Sequence, residues 1–317
     1  MTANYEVATI GHVLMDIRVL VDRLPRADEE AEIHTLSYGA GGSAANTANA
    51  IIRLGHTAAV IAKIGMDNMG KLLHEELSLK RIGLEGLRID SESNTGFSLV
   101  IVDSTGNIMI LGNKGAAEKL RPDELDKKLI ASAKIIHIAS LRLDTSLEAA
   151  RTAKESQVLV TWDPGRRLAR RGLNDSLIQE LLKYVDYVLL NREEAYFMTG
   201  LRDVNAAAKK ILEKSKANAV IVKLGAEGAL LVTRNNKERH LPAYKVKPVD
   251  TTGAGDAFAA GFIVGLLEGK SLEEAAELGN ATAAIKVTRL GAQSHPLREE
   301  VELLIKHYKY FTNIGLL

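Results

Sequence analysis

The chain has 317 residues, 46 % of them hydrophobic, which is enough apolar material for a large core and excludes a disordered protein. Its 41 Lys and Arg balance 40 Asp and Glu, so the charge indicates neither nucleic acid nor an anionic membrane as a partner. It has no cysteine, secretory signal or long uncharged apolar run, and we expect a soluble cytoplasmic protein without disulfides or membrane helices.

Short apolar segments alternate with longer amphipathic ones along most of the chain. The strand-like runs include VATIGHV, AAVIAKIG, KIIHIAS, VLVTWDP, YVLLN and AVIVKLG. Helical patterns such as AANTANAIIRLG and GKLLHEELSLKRIG lie between them, and the last third is mostly helical. Strands that are apolar on both faces indicate a parallel sheet covered on both sides. The pattern therefore predicts an α/β fold with a mostly parallel sheet between two helical layers.

Two stretches, at about 17–38 and 95–112, break this alternation. The first contains RVLVDRLP and AEIHTLSYG, and the second contains GFSLVIVDSTGNIMIL, two strands around a turn. Neither contains a crossover helix, so both predict a small antiparallel β lid outside the main sheet. No linker divides the chain, and we expect one domain over residues 1–317. Uncovered strand edges seek partners, which suggests a homodimer formed through the lid.

Two glycine loops resemble nucleotide-binding motifs only in part. GAGGSA, residues 39–44, fits a dinucleotide fingerprint, but the next strand offers Lys63 where an acid about 20 residues on should hold the ribose. GMDNMGKL, residues 65–72, fails as a P-loop because Leu72 stands where Ser or Thr should ligate magnesium. Both loops are better explained as turns that lead into helices.

A third loop, in DTTGAGDAFAAGFIVGLL at residues 250–267, places glycines and one acid before an apolar helix. A helix start with glycines can bind an anion through its N–H groups and its dipole. Asp256 then has two interpretations: an ordinary residue of a helix cap, or a base beside a transferring phosphoryl group. The loop is tighter than a cap requires, which favours the second interpretation.

Two motifs together resemble the ribokinase-like (PfkB) family of carbohydrate and nucleoside kinases. They are GGSAANTANAIIRLG with its following strand, residues 41–65, and DTTGAGDAFAAGF, residues 250–262. The intervening NREE, DPGRR and KLGAEG also match, so the resemblance covers essentially the whole chain. It implies an α/β/α domain with a small lid. The implied activity is transfer of the γ-phosphoryl group of ATP to a sugar or nucleoside hydroxyl, with Mg²⁺ and with ADP as an alternative donor.

The resemblance also implies site residues. Asp256 resembles the family's catalytic base, and Gly253, Ala254 and Gly255 resemble its anion hole. The implied substrate-binding residues are Asp16, Gly41, Gly42 and Asn46. On the nucleotide side they are Asn191, Lys223, Gly225 and Asn280, with Glu194 in the magnesium region. Asp250 and Thr252 correspond to a monovalent-cation site, K⁺, that some members have. Several of these residues also have a purely structural explanation. Asn46 could cap a helix, Asn191 and Glu194 could belong to a solvated helical turn, and Asn280 could be an exposed helix residue.

The sequence does not identify which molecule accepts the phosphoryl group. After WDP the chain reads Gly165, Arg166 and Arg167, with Arg170 and Arg171 following. Arg166 is predicted to bind substrate, because guanidinium groups recognise phosphate, although a solvated helix start explains these residues equally. A free sugar, a nucleoside and a phosphorylated pentose such as ribose 1-phosphate remain alternatives, as does a non-catalytic binding module.

Overall fold

The computed structural model describes residues 5–105 and 107–313. Its strands are β1 (Val7–Gly11), β2 (Leu14–Val21), β3 (Ile33–Gly41), β4 (Ala58–Gly65), β5 (Gly83–Asp90), β6 (Thr95–Asp103), β7 (Ile108–Gly115), β8 (Ile135–Ala139), β9 (Leu159–Asp163), β10 (Tyr187–Asn191), β11 (Ala219–Lys223), β12 (Ala229–Thr233) and β13 (Glu238–Leu241). Its helices are α1 (Ser43–Arg53), α2 (Asn68–Leu79), α3 (Lys127–Ser132), α4 (Leu143–Glu155), α5 (Gly165–Ala169), α6 (Ser176–Leu181), α7 (Arg192–Thr199), α8 (Val204–Glu213), α9 (Ala254–Leu267), α10 (Leu272–Val287) and α11 (Arg298–Asn313).

The main sheet has the order β13-β12-β11-β10-β9-β8-β1-β4-β5. Its strands run parallel except for β12, which pairs antiparallel with both β11 and β13 near one edge. Helices α3, α4, α6, α7 and α8 pack with strand residues in one core, and α1, α2, α9 and α10 pack in a second. The predicted α/β/α architecture is confirmed. The carboxyl ends of the parallel strands meet along one edge, which is where open α/β sheets bind ligands.

Strand β5 was missed by the sequence patterns. Its segment, GLEGLRID, carries Glu, Arg and Asp and lacks the continuous apolar run of the central strands. β5 lies at the edge of the sheet beside β4, so six of its eight positions are partly or fully exposed and tolerate charge.

A second sheet, with the order β3-β2-β6-β7, contains both predicted lid segments. Each segment forms an antiparallel hairpin, β2–β3 and β6–β7, and a parallel β2–β6 ladder joins the two hairpins. GAGGSA therefore connects a lid strand to α1 and does not follow the first strand of a βαβ unit, unlike a dinucleotide fingerprint. Across the described part of the chain, no helix is long and apolar enough to cross a bilayer.

Candidate active site

The start of α9 has a backbone that only glycine accommodates easily. Gly253 caps the helix in the left-handed conformation, with φ of 78°, and a Cβ there would lie 2.5 Å from the carbonyl oxygen of Ala292. The amide of Ala254 donates to the Thr251 carbonyl oxygen at 3.1 Å. By helix geometry, the amides of Gly255 and Asp256 have no intrahelical acceptor. This helix start can therefore present N–H groups to an anion.

The Asp256 side chain does not cap its helix. In α2, α3, α6, α7, α8 and α10 a cap side chain accepts from an amide of the same helix, whereas α9 begins at glycine with no side-chain cap. The Asp256 carboxylate instead accepts a hydrogen bond from Nδ2 of Asn46, at 2.8 Å. Burial raises the pKa of Asp256 to about 7, the bond from Asn46 opposes this rise, and the Asp163 charge adds to it. Near neutral pH this carboxyl can accept or release a proton.

The loop before α1 brings a second carboxylate to the same place. Gly42 caps α1 with φ of 90°, and Asn46 lies in the first turn and is 5 % exposed. A Cβ on Gly41 would lie 2.1 Å from Oδ2 of Asp16, so the missing side chain makes room for that carboxylate. Burial raises the pKa of Asp16 to about 6, although the charges of Arg18 and Lys114 lower it. Asp16, Asn46 and Asp256 thus lie near one another, and the Asp16 charge acts on Asp256.

The ends of β9, β10 and β11 form a charged cluster beside α9. Nζ of Lys223 contacts Oδ2 of Asp163 at 2.6 Å. Burial alone would lower the pKa of Lys223, but Asp163 and Glu194 raise it above its ordinary value. Asn191 and Glu194 form a reciprocal capping box at 2.8 and 2.9 Å. Glu194 is only 6 % exposed, and burial and the Asp163 charge raise its pKa, so the solvated-turn alternative does not describe it.

Asp163 is the residue of this cluster that the sequence patterns missed. It ends β9, and its Oδ2 holds the Lys223 ammonium. The sequence could have indicated Asp163 as a site residue, because this carboxylate stands at the carboxyl end of the apolar run VLVTWDP. The carboxyl ends of parallel strands meet at the ligand-binding edge of the sheet.

The other predicted nucleotide-side residues have local contacts. Gly225 begins a short 3₁₀ turn with φ of 63°, and a Cβ there would meet open space. Asn280 is 6 % exposed, not solvated, and its Nδ2 donates to the carbonyl oxygen of Leu241 at 3.1 Å. Asp250 accepts from the amide of Thr252 at 2.9 Å and from Arg18 on lid strand β2 at 2.8 Å. Arg18 therefore ties the lid to the α9 loop.

The arginines of α5 have different surroundings. The side chains of Arg166 and Arg167 are both exposed, by 59 % and 62 %, and Arg166 lies 3.6 Å from Glu193. Arg167 bonds Glu118, whose other oxygen lies 3.1 Å from Nε2 of His12. Arg167 thus lies at the end of the lid. Lys114, on lid strand β7, interacts electrostatically with Glu118 and lowers the pKa of Asp16.

Comparison with known proteins places this arrangement in a family. The model of the pfkB family carbohydrate kinases matches residues 4–299. The chain belongs to the pfkB family of carbohydrate kinases. An ATP-dependent ribose-1-phosphate kinase of Halopiger xanaduensis is 38 % identical over 299 residues, covering 93 % of this chain and 96 % of that protein. A ribokinase of Thermotoga maritima is 34 % identical with a TM-score of 0.83, covering 95 % of this chain and 99 % of that structure.

A ribokinase of Arabidopsis thaliana, solved with ribose and ATP, has a TM-score of 0.86 at 29 % identity, covering 96 % of this chain and 99 % of that structure. The pfkB protein described here is accordingly a ribokinase-like kinase that transfers the γ-phosphoryl group of ATP to a hydroxyl acceptor, and the predicted family is confirmed. ATP stands both in the name of the Halopiger relative and among the ligands of the Arabidopsis structure.

Proposed function

We propose that Asp256 is the general base of this kinase. The observation that carries the proposal is the uncapped glycine start of α9 together with the half-buried carboxylate of Asp256. Asn46 donates a hydrogen bond to this carboxylate, and desolvation raises the pKa of Asp256 to about 7. Asp256 takes the proton as the acceptor oxygen attacks the γ-phosphorus. The helix start from Gly253 to Gly255 stabilises charge on the transferred group through the amides that have no acceptor within the helix, as phosphoryl transfer requires. Asp16 accepts hydrogen bonds from the acceptor's hydroxyl groups.

The nucleotide phosphates are proposed to bind across the ends of β9 to β11, beside Lys223. In the described part of the chain, no group of three or more His, Asp or Glu forms a metal cage. The nearby Asp163 and Glu194 carboxylates still fit Mg²⁺, which is often held by one or two carboxylates together with substrate phosphates. When bound, Mg²⁺ neutralises phosphate charge. Asn191, Gly225 and Asn280 remain predicted nucleotide-side residues.

We further propose a phosphorylated pentose, ribose 1-phosphate, as the acceptor. Lys114 and Arg167 place two cations at the end of the lid near Asp16 and Glu118, which suits an acceptor with a phosphate group. The 38 % identical relative named for this substrate supports the same choice. Arg167 replaces Arg166 as the proposed phosphate-binding residue, because Arg167 lies near Lys114 at the end of the lid, whereas Arg166 lies beside Glu193 and the Phe197 ring.

The test is a donor-consumption assay with ATP or ADP against ribose 1-phosphate, ribose, fructose, inosine, cytidine and adenosine. We expect ribose 1-phosphate with ATP to give the highest kcat/KM. Asp256→Asn should lower turnover by about 10² to 10⁴, the usual contribution of a general base. Turnover near the wild-type value in Asp256→Asn contradicts the mechanism, and a clear preference for ribose or a nucleoside contradicts only the acceptor.

A pair of α5 variants tests the phosphate contact. Arg167→Ala should raise the KM for ribose 1-phosphate by about tenfold to 100-fold, the usual range for a lost hydrogen bond to a charged group. The KM for ribose should change little. Arg170→Ala is the control, because that exposed arginine lies over the Phe197 ring at 4.9 Å. Equal effects of the two variants contradict the role of Arg167.

Two further properties belong to this proposal. The kinase forms a homodimer through the face of its lid sheet that exposes Leu36, Tyr38 and Leu111. It works in the cytoplasm, where ATP is available. The predicted K⁺ site at Asp250 and Thr252 is not part of the proposal, because a lysine ammonium bonds the Asp250 carbonyl.

A further inference from the structure

Lys286, in the last turn of α10, is 0 % exposed. Its Nζ donates to the backbone carbonyl oxygen of Asp250 at 2.8 Å. Lys63, which is also buried, differs because its ammonium lies 3.1 Å from Asp90 and 2.7 Å from Glu124. Burying a charge is costly without a partner, and the Asp250 carbonyl supplies a hydrogen-bond acceptor for the buried Lys286 ammonium.

The Asp250 carbonyl belongs to the segment that leads into the α9 loop. The amides of Val249 and Asp250 donate to the carbonyl oxygen of Val287, at 2.7 and 3.0 Å. Lys286 and Val287, at the end of α10, thus hold the same short segment from two sides. The segment is three residues before Gly253, whose backbone shapes the proposed anion hole. The position of Lys286 is therefore coupled to the geometry of the phosphoryl-binding amides.

A monovalent cation at this place would need backbone carbonyl oxygens as ligands, and the chain's own donors already use them. Lys286 bonds the Asp250 carbonyl, Nε of Arg53 donates to the His295 carbonyl at 2.5 Å, and Nδ2 of Asn49 donates to the Gln293 carbonyl at 3.1 Å. An ammonium, a guanidinium and an amide thus already donate to carbonyl oxygens at Asp250 and in the segment 288–296 that follows α10. The described residues do not fit a K⁺ ion here.

The charges around Lys286 favour its own ammonium group over a bound monovalent ion. Burial lowers the pKa of Lys286, the Asp250 and Asp256 carboxylates oppose that effect, and Arg18 adds to it. The two carboxylates balance an ammonium behind the loop. A further monovalent cation would be repelled by Lys286, Arg18 and Arg53.

We propose that Lys286 is a positioning residue that supplies the positive charge behind the α9 loop, so that the kinase reaction needs no monovalent cation. The ammonium holds the Asp250 carbonyl and, through it, the segment that carries Gly253. The inference rests on the kinase activity of the family and not on which acceptor is used.

The first experiment measures kcat against KCl concentration, with tetramethylammonium chloride keeping the ionic strength constant. Wild-type kcat should stay constant within about twofold. Lys286→Met should lose about tenfold to 100-fold in kcat, as small displacements of a catalytic group do. K⁺ or NH₄⁺ should restore part of that loss with saturation. Activation of the wild type by K⁺ of more than about tenfold, or no cation response in Lys286→Met, overturns the proposal.

Lys63→Met is the matched control, since it also removes a buried ammonium. It should lower stability without any K⁺ response. Anomalous diffraction from crystals soaked in RbCl gives a readout that needs no acceptor, so it stays informative if the acceptor proposal fails. Rb⁺ should bind near the Asp250 carbonyl in Lys286→Met and not in the wild type. Rb⁺ at that carbonyl in the wild type overturns the proposal even if the variant does not fold.

Discussion

Asp256 and Asn46 form a pair whose chemistry depends on their direct contact. Burial favours the protonated carboxyl, because removing a charge from water is costly, while the amide of Asn46 favours the ionised form by donating to it at 2.8 Å. The balance leaves the pKa of Asp256 at about 7. A base with this pKa is half ionised near neutral pH and can still accept a proton effectively.

The pH dependence of kcat/KM tests this balance. Because the raised pKa keeps Asp256 protonated below about 7, activity should fall as the pH drops through that value. Asn46→Ala removes a hydrogen bond that lowers the pKa, so it should move this acidic limb to higher pH. Asn49→Ala, one turn along α1, is the control because Asn49 bonds Gln293 instead. The assignment of this limb to Asp256 is contradicted if the acidic limb of Asn46→Ala stays where it is in the wild type. It is also contradicted if the limb moves equally in both variants.

Helix α9 has a glycine in the left-handed conformation at each end. Gly253 has φ of 78° before the helix, and Gly269 has φ of 69° after it. A Cβ on Gly253 would lie 2.5 Å from the Ala292 carbonyl oxygen, whereas a Cβ on Gly269 would meet open space. The two positions share a conformational requirement but differ in their surroundings.

The two alanine variants therefore separate backbone strain from loop displacement. Both should lower the free energy of unfolding by about 1–2 kcal/mol, the cost of a left-handed non-glycine residue. Gly253→Ala should also lower kcat by at least about tenfold, because the loop must move away from Ala292. Urea unfolding and steady-state kinetics measure the two effects. A similar loss of kcat in Gly269→Ala would show that strain alone explains it.

The lid sheet has two different faces. Cross-strand register aligns Tyr38, Ile17, Leu99 and Leu111 in one row, and Leu36, Val19, Ile101 and Met109 in the next. Asp16 and Arg18 alternate with Ile17 and Val19 along β2, so they lie on the opposite face. Tyr38 is 60 % and Leu111 53 % exposed on the apolar face. Val19, in the middle of these rows, is 4 % exposed, so the exposed apolar side chains lie on the outer strands β3 and β7. These exposed side chains favour the proposed dimer, because the lid of a second copy presents the same apolar rows.

Sedimentation of a charged variant tests the proposed dimer. Leu36→Glu buries a charge on each side of a symmetric interface, so the dimer dissociation constant should rise by about 100-fold or more. Leu79→Glu is the control, because Leu79 is 85 % exposed at the end of α2 and outside the lid. A wild type that sediments as a monomer at micromolar concentration contradicts the dimer.

The features that the chain alone revealed are local ones. The alternation of apolar strands with helices predicted the sheet and its two helical layers, and the two helix-free stretches predicted the lid. The glycines before Asp256 indicated the α9 start, because tight turns and left-handed residues depend on neighbours in the sequence. The edge strand β5 escaped because its exposed positions do not require an apolar pattern.

Contacts between distant residues depended on the tertiary structure. Asn46 lies 210 positions from Asp256 in the chain, and the packing of α1 near α9 brings their side chains together. The order of β9, β10 and β11 joins Asp163 to Lys223, and the end of α10 places Lys286 on the Asp250 carbonyl. Neither periodicity nor a motif encodes such pairs, because they arise from strand order and helix packing, which depend on the whole chain at once.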